Sequence, residues 1–231
     1  MVAIVTTTPN KIARWPAAFI LAAGIALVVF GGTDFFNSLL RVNADHVLWE
    51  LRHSQKVDTA DMQVSYSDLI QHGHGGEALA DSGFVALRRA LSETDPAVRA
   101  QWMAQAAQET RQGLKLAPAQ AGAWARLAWL DNNAGDSKTA AQDIKMSMLS
   151  GPVDPPLMID RLKLALVLRP FFDSDGHELL NRQIRLSWIL APDAIATLAT
   201  DPANSQLISE ALASMTTEDA SLFVNAHKSD N

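Results

Sequence analysis

Residues 121–152 have the sequence AGAWARLAWLDNNAGDSKTAAQDIKMSMLSGP, which predicts two helices joined by a tight turn. On both sides of the turn, apolar and small side chains recur at the three- and four-residue spacing of a helix face. These faces are Trp124, Leu127 and Ala128 before the turn and Ala140, Ile144 and Ser147 after it. Gly135 and Asp136 provide the turn, and Pro152 ends the second helix. Because small residues let two helices approach closely, the stretch indicates a tightly packed helical hairpin.

The same stretch resembles a tetratricopeptide repeat. Pro118 and Pro152 are 34 residues apart, which is the length of that repeat. Asp131 departs from the pattern, since an aromatic residue is usual at that position. In the preceding 34-residue unit, Ala106 and Gly113 are small residues at the positions expected in the second helix of the repeat. The unit that follows residue 152 no longer matches the pattern. The resemblance implies an all-α, helical-repeat (α-solenoid) domain with diverged C-terminal helices, which binds other proteins through its surface.

The rest of the chain also has the composition of a helical protein, because long β-branched alternations are absent. We expect weak helical patterning and a loop over residues 57–76, and a helix after it that Gly83 weakens at its middle. The expected segments are a cytoplasmic tail (1–14), a transmembrane helix (15–33), a juxtamembrane helix and loop (34–76), tetratricopeptide-like repeats (77–152) and a C-terminal helical region (153–227).

The expected transmembrane helix is a run of 19 residues without a charged side chain. A helix of that length covers roughly 28 Å, close to the ~30 Å hydrocarbon core of a bilayer. Lys11 and Arg14 precede the run and no acidic residue accompanies them, so the tail is expected in the cytoplasm and the following domain in the bacterial periplasm. A cleaved secretory signal and a buried soluble helix are the alternatives.

Charge and cysteine content exclude several classes of function. The chain has a net charge of −6, and its basic tail makes the remainder more acidic still, which argues against nucleic-acid binding. The sequence has no cysteine, so disulfides, thiolate nucleophiles and cysteine-based metal sites are excluded.

No nucleophile-elbow or phosphate-binding glycine motif is present, so we expect a protein that is not an enzyme and holds no cofactor or metal. Asp173 and Asp175 resemble the start of a calcium loop but lack its distal glutamate, and helix capping explains them. His72 and His74 lie in a glycine-rich segment without further ligands. A glycan hydrolase would need two carboxylates in a cleft, one of them with a raised pKa.

Partner contacts are the remaining candidate sites. Trp124 and Trp102 are expected in the core, whereas Trp129 falls on the other side of its helix and is expected to be partly exposed. Four arginines in an otherwise acidic domain could meet an anionic partner, although solvated faces that pair with nearby acids are the plainer interpretation. The candidate partner-binding residues are Trp129, Arg161, Arg169, Arg182 and Arg185.

The layout of a basic tail, one span, a degenerate repeat and the helix-rich stretch from about Leu114 to Leu198 is similar to VpsP-type proteins of bacterial exopolysaccharide loci. That resemblance implies a non-catalytic accessory protein of the inner membrane, whose partners are membrane or periplasmic proteins of polysaccharide biosynthesis or export. The alternatives are a periplasmic domain that binds a small ligand or glycan, and an ancillary subunit of another envelope complex such as a translocon or a cytochrome-maturation machine.

Overall fold

The structure, a computed structural model, describes residues 39–215 together with 19–21, 23–25 and 217. The described chain is all-α, as the sequence predicts, and no strand occurs in it. Its helices are α1 Val42–Arg52, α2 Thr59–His72, α3 Gly75–Leu91, α4 Pro96–Leu116, α5 Ala121–Asn133, α6 Ser137–Ser150, α7 Pro155–Leu168, α8 Ser174–Leu190, α9 Pro192–Ala199 and α10 Pro202–Ala213, with a 3-10 turn at Arg169–Phe171 between α7 and α8.

Neighbouring helices pack in successive pairs along the chain. α1 packs on α2, α3 on α4, α5 on α6 and α7 on α8, while α9 and α10 pack on each other and on α8. The first helices of successive pairs also touch, since α1 contacts α3, α3 contacts α5, and α5 contacts α7. The described chain is therefore a row of helical hairpins whose first helices form one continuous layer.

The hairpin of residues 121–152 forms as the sequence predicts. Asp136 caps α6 by accepting a hydrogen bond from the Thr139 N–H at 3.1 Å, and Gly135 takes the turn with φ +87°. The two helices are joined again at their far ends, where the Ser147 hydroxyl donates to the Ala121 carbonyl at 2.7 Å. Small residues at this contact keep the helices close enough for that bond.

The preceding hairpin, α3 with α4, is held even closer by glycines. A Cβ at Gly113 would lie 2.6 Å from the Ala80 nitrogen and 2.6 Å from the Gly76 carbonyl oxygen, so no side chain fits there. Gly83 faces Thr110 and Ala106 of α4 in the same way. The sequence-based view of Gly83 as a weak point is wrong, because the missing side chain is what permits the contact.

Residues 57–76 are more helical than their weak patterning suggests, although the glycine-rich segment begins where α2 ends and residues 73–74 are not helical. This segment contains α2, which buries Met62, Ser65 and Leu69 against α1 and α3. Its buried stripe is narrow and includes a serine, so the hydrophobic periodicity is weak although the spacing is helical.

No helix within the described residues is both long and apolar enough to cross a membrane. The expected span at 15–33 lies mostly outside those residues, and the parts of it that are described, 19–21 and 23–25, are helical. The tail at 1–14 and the end of the expected C-terminal helical region, 218–227, lie outside the described residues too.

Candidate functional site

A groove of about 560 Å³ runs along the layer of first helices. Each of the first four hairpins contributes to it through its first helix, so the groove is a product of the repeated packing. Its lining is mainly apolar, with leucines from α1, α3 and α7 and aromatic rings from α3 and α5. The residues on which its chemistry depends are Arg52, Phe84, Arg88, Arg126, Trp129 and Asp160.

Arg126 is the central cation of the groove. Its Nη1 donates to the Ala80 carbonyl at 2.5 Å, and its guanidinium carbon lies 5.0 Å from the centre of the Phe84 ring. Burial lowers the pKa of Arg126 to about 10, Asp81 raises it, and Arg52 lowers it further. The group is therefore charged at neutral pH, and the carboxylate nearest to it is already engaged: Asp81 pairs with Arg52 at 2.5 Å.

Arg88 adds a second cation on α3. It is half-buried, and its guanidinium group has neither a hydrogen-bond nor an ion-pair partner among the described residues. On the opposite side of the groove, α7 contributes Asp160, which is exposed and pairs with Lys163 at 3.0 Å. The lining from α1, α3 and α5 thus carries the cations Arg52, Arg88 and Arg126, whereas α7 and its N-cap contribute Asp160 and Asp154 together with the buried Arg161.

Trp129 is half-buried and lines the groove, in the partly exposed position that the sequence suggests. Trp102 and Trp124 are half-buried as well and pack against clusters of the hydrophobic core, as the sequence predicts. Trp102 packs edge-on against Tyr66 at 5.4 Å, and Trp124 donates its Nε1–H to the Pro118 carbonyl at 2.7 Å.

The expectation that Arg161 contacts a partner from the surface is wrong, because its side chain is only 1% exposed. Nη1 donates to the carbonyls of Ser147 at 2.9 Å and Gly151 at 2.7 Å, and Nη2 donates to the Pro152 carbonyl at 3.1 Å and to Gln183 Oε1 at 2.8 Å. The guanidinium therefore joins the end of α6 and the turn after it to α8. Desolvation lowers its pKa, which shows how far the charge is removed from water.

The other three candidate arginines do not form one patch. Arg182 is exposed beside a depression of about 80 Å³ between α6 and α8. Arg169 borders a different depression and donates to the Ala203 carbonyl at 3.3 Å, and Arg185 donates to the Ser214 hydroxyl at 3.4 Å. Arg169 lies in the turn that precedes α8 and borders its own depression, whereas Arg182 and Arg185 are three residues apart on α8.

A pair of carboxyl groups lies between α5 and α6, and the sequence pointed to it only through the unusual Asp131. Both oxygens of Asp131 accept from Arg111 Nη2 at 2.8 Å. Burial, followed by the adjacent Asp131, raises the pKa of Asp143 to about 7. Asp143 Oδ2 is buried and has no hydrogen-bond partner in the described part of the chain.

This pair does not form an acid–base site in a cleft. Of the two carboxyl groups, only that of Asp131 borders a depression, and Arg111 already occupies its oxygens. Asp143 lies beneath the surface at 7% exposure. The arrangement can hold a proton but offers no second carboxylate to a substrate.

The residues that resemble a calcium loop serve as a helix cap. Asp173 accepts from the Gly176 N–H at 2.8 Å and pairs with Lys145 at 2.6 Å, and these bonds lower its pKa. In the part of the chain that the structure describes, which includes His72 and His74, no three histidine or acidic side chains are grouped so that they could hold a metal ion.

Comparisons of the chain with protein-family models, with curated protein sequences and with solved structures give no significant match.

Proposed function

We propose that this protein is a non-catalytic adaptor that holds a protein partner in the groove formed by its first helices. The observation that carries the proposal is the groove itself, which draws its lining from four consecutive hairpins. Helical-repeat proteins use the surface formed by such a layer to bind extended or helical segments. A lining with large apolar side chains and a few charged groups suits that role.

The proposed setting is the bacterial inner membrane, with the N-terminus in the cytoplasm and the helical domain in the periplasm. The uncharged run at 15–33 and its basic flank support this topology. The tetratricopeptide-like pattern at 121–152 and the likeness to VpsP-type proteins favour a role as an accessory protein of exopolysaccharide biosynthesis or export. In this role the anchor keeps the groove near membrane-bound enzymes or export components.

The proposal is tested by site-specific photocrosslinking of the full chain in its own membrane. Gly122 is a suitable position for a photoreactive residue, because it borders the groove and no atom lies within 4 Å of where its Cβ would be. Gln108 on α4 is exposed and outside the groove, so it serves as the matched control. We expect the Gly122 probe to capture glycosyltransferase or polysaccharide-export proteins, and the Gln108 probe to capture none of them.

Equal capture from both positions would contradict the proposed groove, because the contact would then not depend on it. Capture of translocon or cytochrome-maturation components from Gly122 alone would keep the adaptor role and replace the exopolysaccharide setting. Absence of any protein crosslink from Gly122 would overturn the adaptor role.

A further inference from the structure

Among the described residues, no carboxylate forms an ion pair with the side chain of Arg88 or of Arg126, and this imbalance indicates what the groove binds. The guanidinium of Arg126 makes one hydrogen bond, to a backbone carbonyl, and that of Arg88 makes none within the described residues. Removing a guanidinium from water is unfavourable unless hydrogen bonds or an opposite charge replace the water. Of the acids nearby, Asp81 is paired with Arg52. The lining from α3 and α5 therefore has unused capacity for an anion.

The overall charge makes this local excess more informative. The protein has 25 acidic and 19 basic residues. Because acidic residues are in excess, most basic side chains are expected to have an acidic neighbour. The position of the two cations also matters, because α3 and α5 touch each other and place Arg88 and Arg126 on the same side of one groove. Guanidinium groups bind carboxylates through paired N–H donors, which gives such a site both affinity and orientation.

The remaining lining distinguishes a peptide from an acidic polysaccharide. Of the described residues, no serine, threonine, asparagine, glutamine or tyrosine lines the groove, so these residues offer no neutral polar side chain to the many hydroxyl groups of a sugar chain. It does offer the rings of Phe84 and Trp129 and the side chain of Leu157, which suit a large apolar side chain.

We propose that the groove binds an acidic peptide segment of the partner, with a side-chain carboxylate held by Arg88 and Arg126 and an adjacent large apolar side chain packed against Phe84 and Trp129. This inference rests on the proposed adaptor function and specifies the chemistry of its partner. On the opposite side of the groove, Asp160 disfavours a second carboxylate, so the site also sets the direction of the segment.

The test uses the detergent-solubilised full chain and a display library of random octapeptides with blocked ends. We expect enrichment of Asp or Glu within a few positions of Phe, Leu, Ile or Trp. Arg126→Gln and Arg88→Gln should each weaken binding of the enriched peptides about tenfold at low salt and remove the preference for acidic residues. The preference for an apolar residue should remain in both variants. Lys115→Gln is the matched control, because it also removes one positive charge and Lys115 is exposed on α4 and lies outside the groove.

Enrichment of basic or uncharged peptides would overturn the inference, as would an acidic preference that both groove variants retain. Tighter peptide binding after removal of residues 216–231 would assign the groove to the chain's own acidic end and would also overturn it. If these peptide experiments fail while the Gly122 probe still captures a protein partner, the adaptor role stands. Only the proposal that the groove binds an acidic peptide segment is then refuted.

Discussion

The groove and the junction of α6, α7 and α8 each contain an arginine withdrawn from water, and the two arginines are bonded in opposite ways. Arg161 at the junction donates four hydrogen bonds, three of them to backbone carbonyls. Arg126 in the groove donates one. Arg161 keeps only its Nε without a partner among the described residues, so its charge is largely compensated and holds the fold together. A cation with one such hydrogen bond is kept at the expense of stability and marks a binding surface.

The largest effect is expected from truncating the junction arginine. Arg161→Ala removes the side-chain donor of the Gly151 and Pro152 carbonyls, leaves the Ser147 carbonyl with only the Gly151 N–H at 3.3 Å, and creates a cavity. We expect the free energy of unfolding to fall by about 3–5 kcal/mol. Thermal and urea unfolding of the full chain in detergent, followed by far-UV circular dichroism, measures it. Arg182→Ala on the surface should change the free energy of unfolding by less than about 0.5 kcal/mol. Equal losses in the two variants would show that the hydrogen bonds of Arg161 do not stabilise the fold more than a surface arginine does.

A glycine pair extends the same comparison to the helix layers. Gly113→Ala places a Cβ 2.6 Å from two backbone atoms of α3, and we expect a loss of about 1–3 kcal/mol. Gly122→Ala on the groove side meets nothing within 4 Å, and its better helix propensity should stabilise by about 0.5–1 kcal/mol. The same unfolding measurements apply. If both variants lose stability equally, the close approach of α3 and α4 does not depend on Gly113.

The carboxyl pair predicts a dependence of stability on pH. Asp143 has a folded pKa of about 7, above its ordinary value of 3.8, so between those limits the folded state holds a proton that the unfolded state releases. Stability from this group is therefore fully present below pH ~4, is lost as the pH rises toward 7, and is constant above that. Asp143→Asn should flatten the profile and raise stability at pH 8 by about 1–3 kcal/mol. An unchanged profile in this variant would show that another group causes the titration.

The sequence predicts features that are set by local spacing and misses those set by contacts between distant helices. The α5/α6 hairpin, its turn at Gly135 and the all-α class follow from periodicity and capping within a few residues. Arg161 was misjudged because its acceptors come from α6 and α8, which no local pattern of α7 reveals. Spacing alone could have hinted at its burial, since it follows the buried Met158 by three residues and precedes the buried Ala165 by four.

The groove shows the same limit for a functional site. Trp129 could be predicted as partly exposed from its angle on α5, and it does line the groove. Arg126 and Arg88 were not identified, because they come from different hairpins and single charged residues on a helix are ordinarily solvated. What singles them out is that no described carboxylate forms an ion pair with either of them, since Asp81 pairs with Arg52. This becomes visible only when the first helices are assembled into one layer.

We expect the smallest change in stability from the removal of Arg126. This variant tests most directly whether Arg126 and Arg161 have different roles. Arg126→Met keeps much of the side-chain volume over the Phe84 ring, removes a charge that burial disfavours, and loses one hydrogen bond to the Ala80 carbonyl. These contributions oppose each other, so we expect the free energy of unfolding to change by less than about 1 kcal/mol in either direction. The same variant should lose partner capture from Gly122. If Arg126→Met lost as much stability as Arg161→Ala, Arg126 would be needed for folding in the same way as Arg161. Its position in the groove would then no longer indicate a binding site.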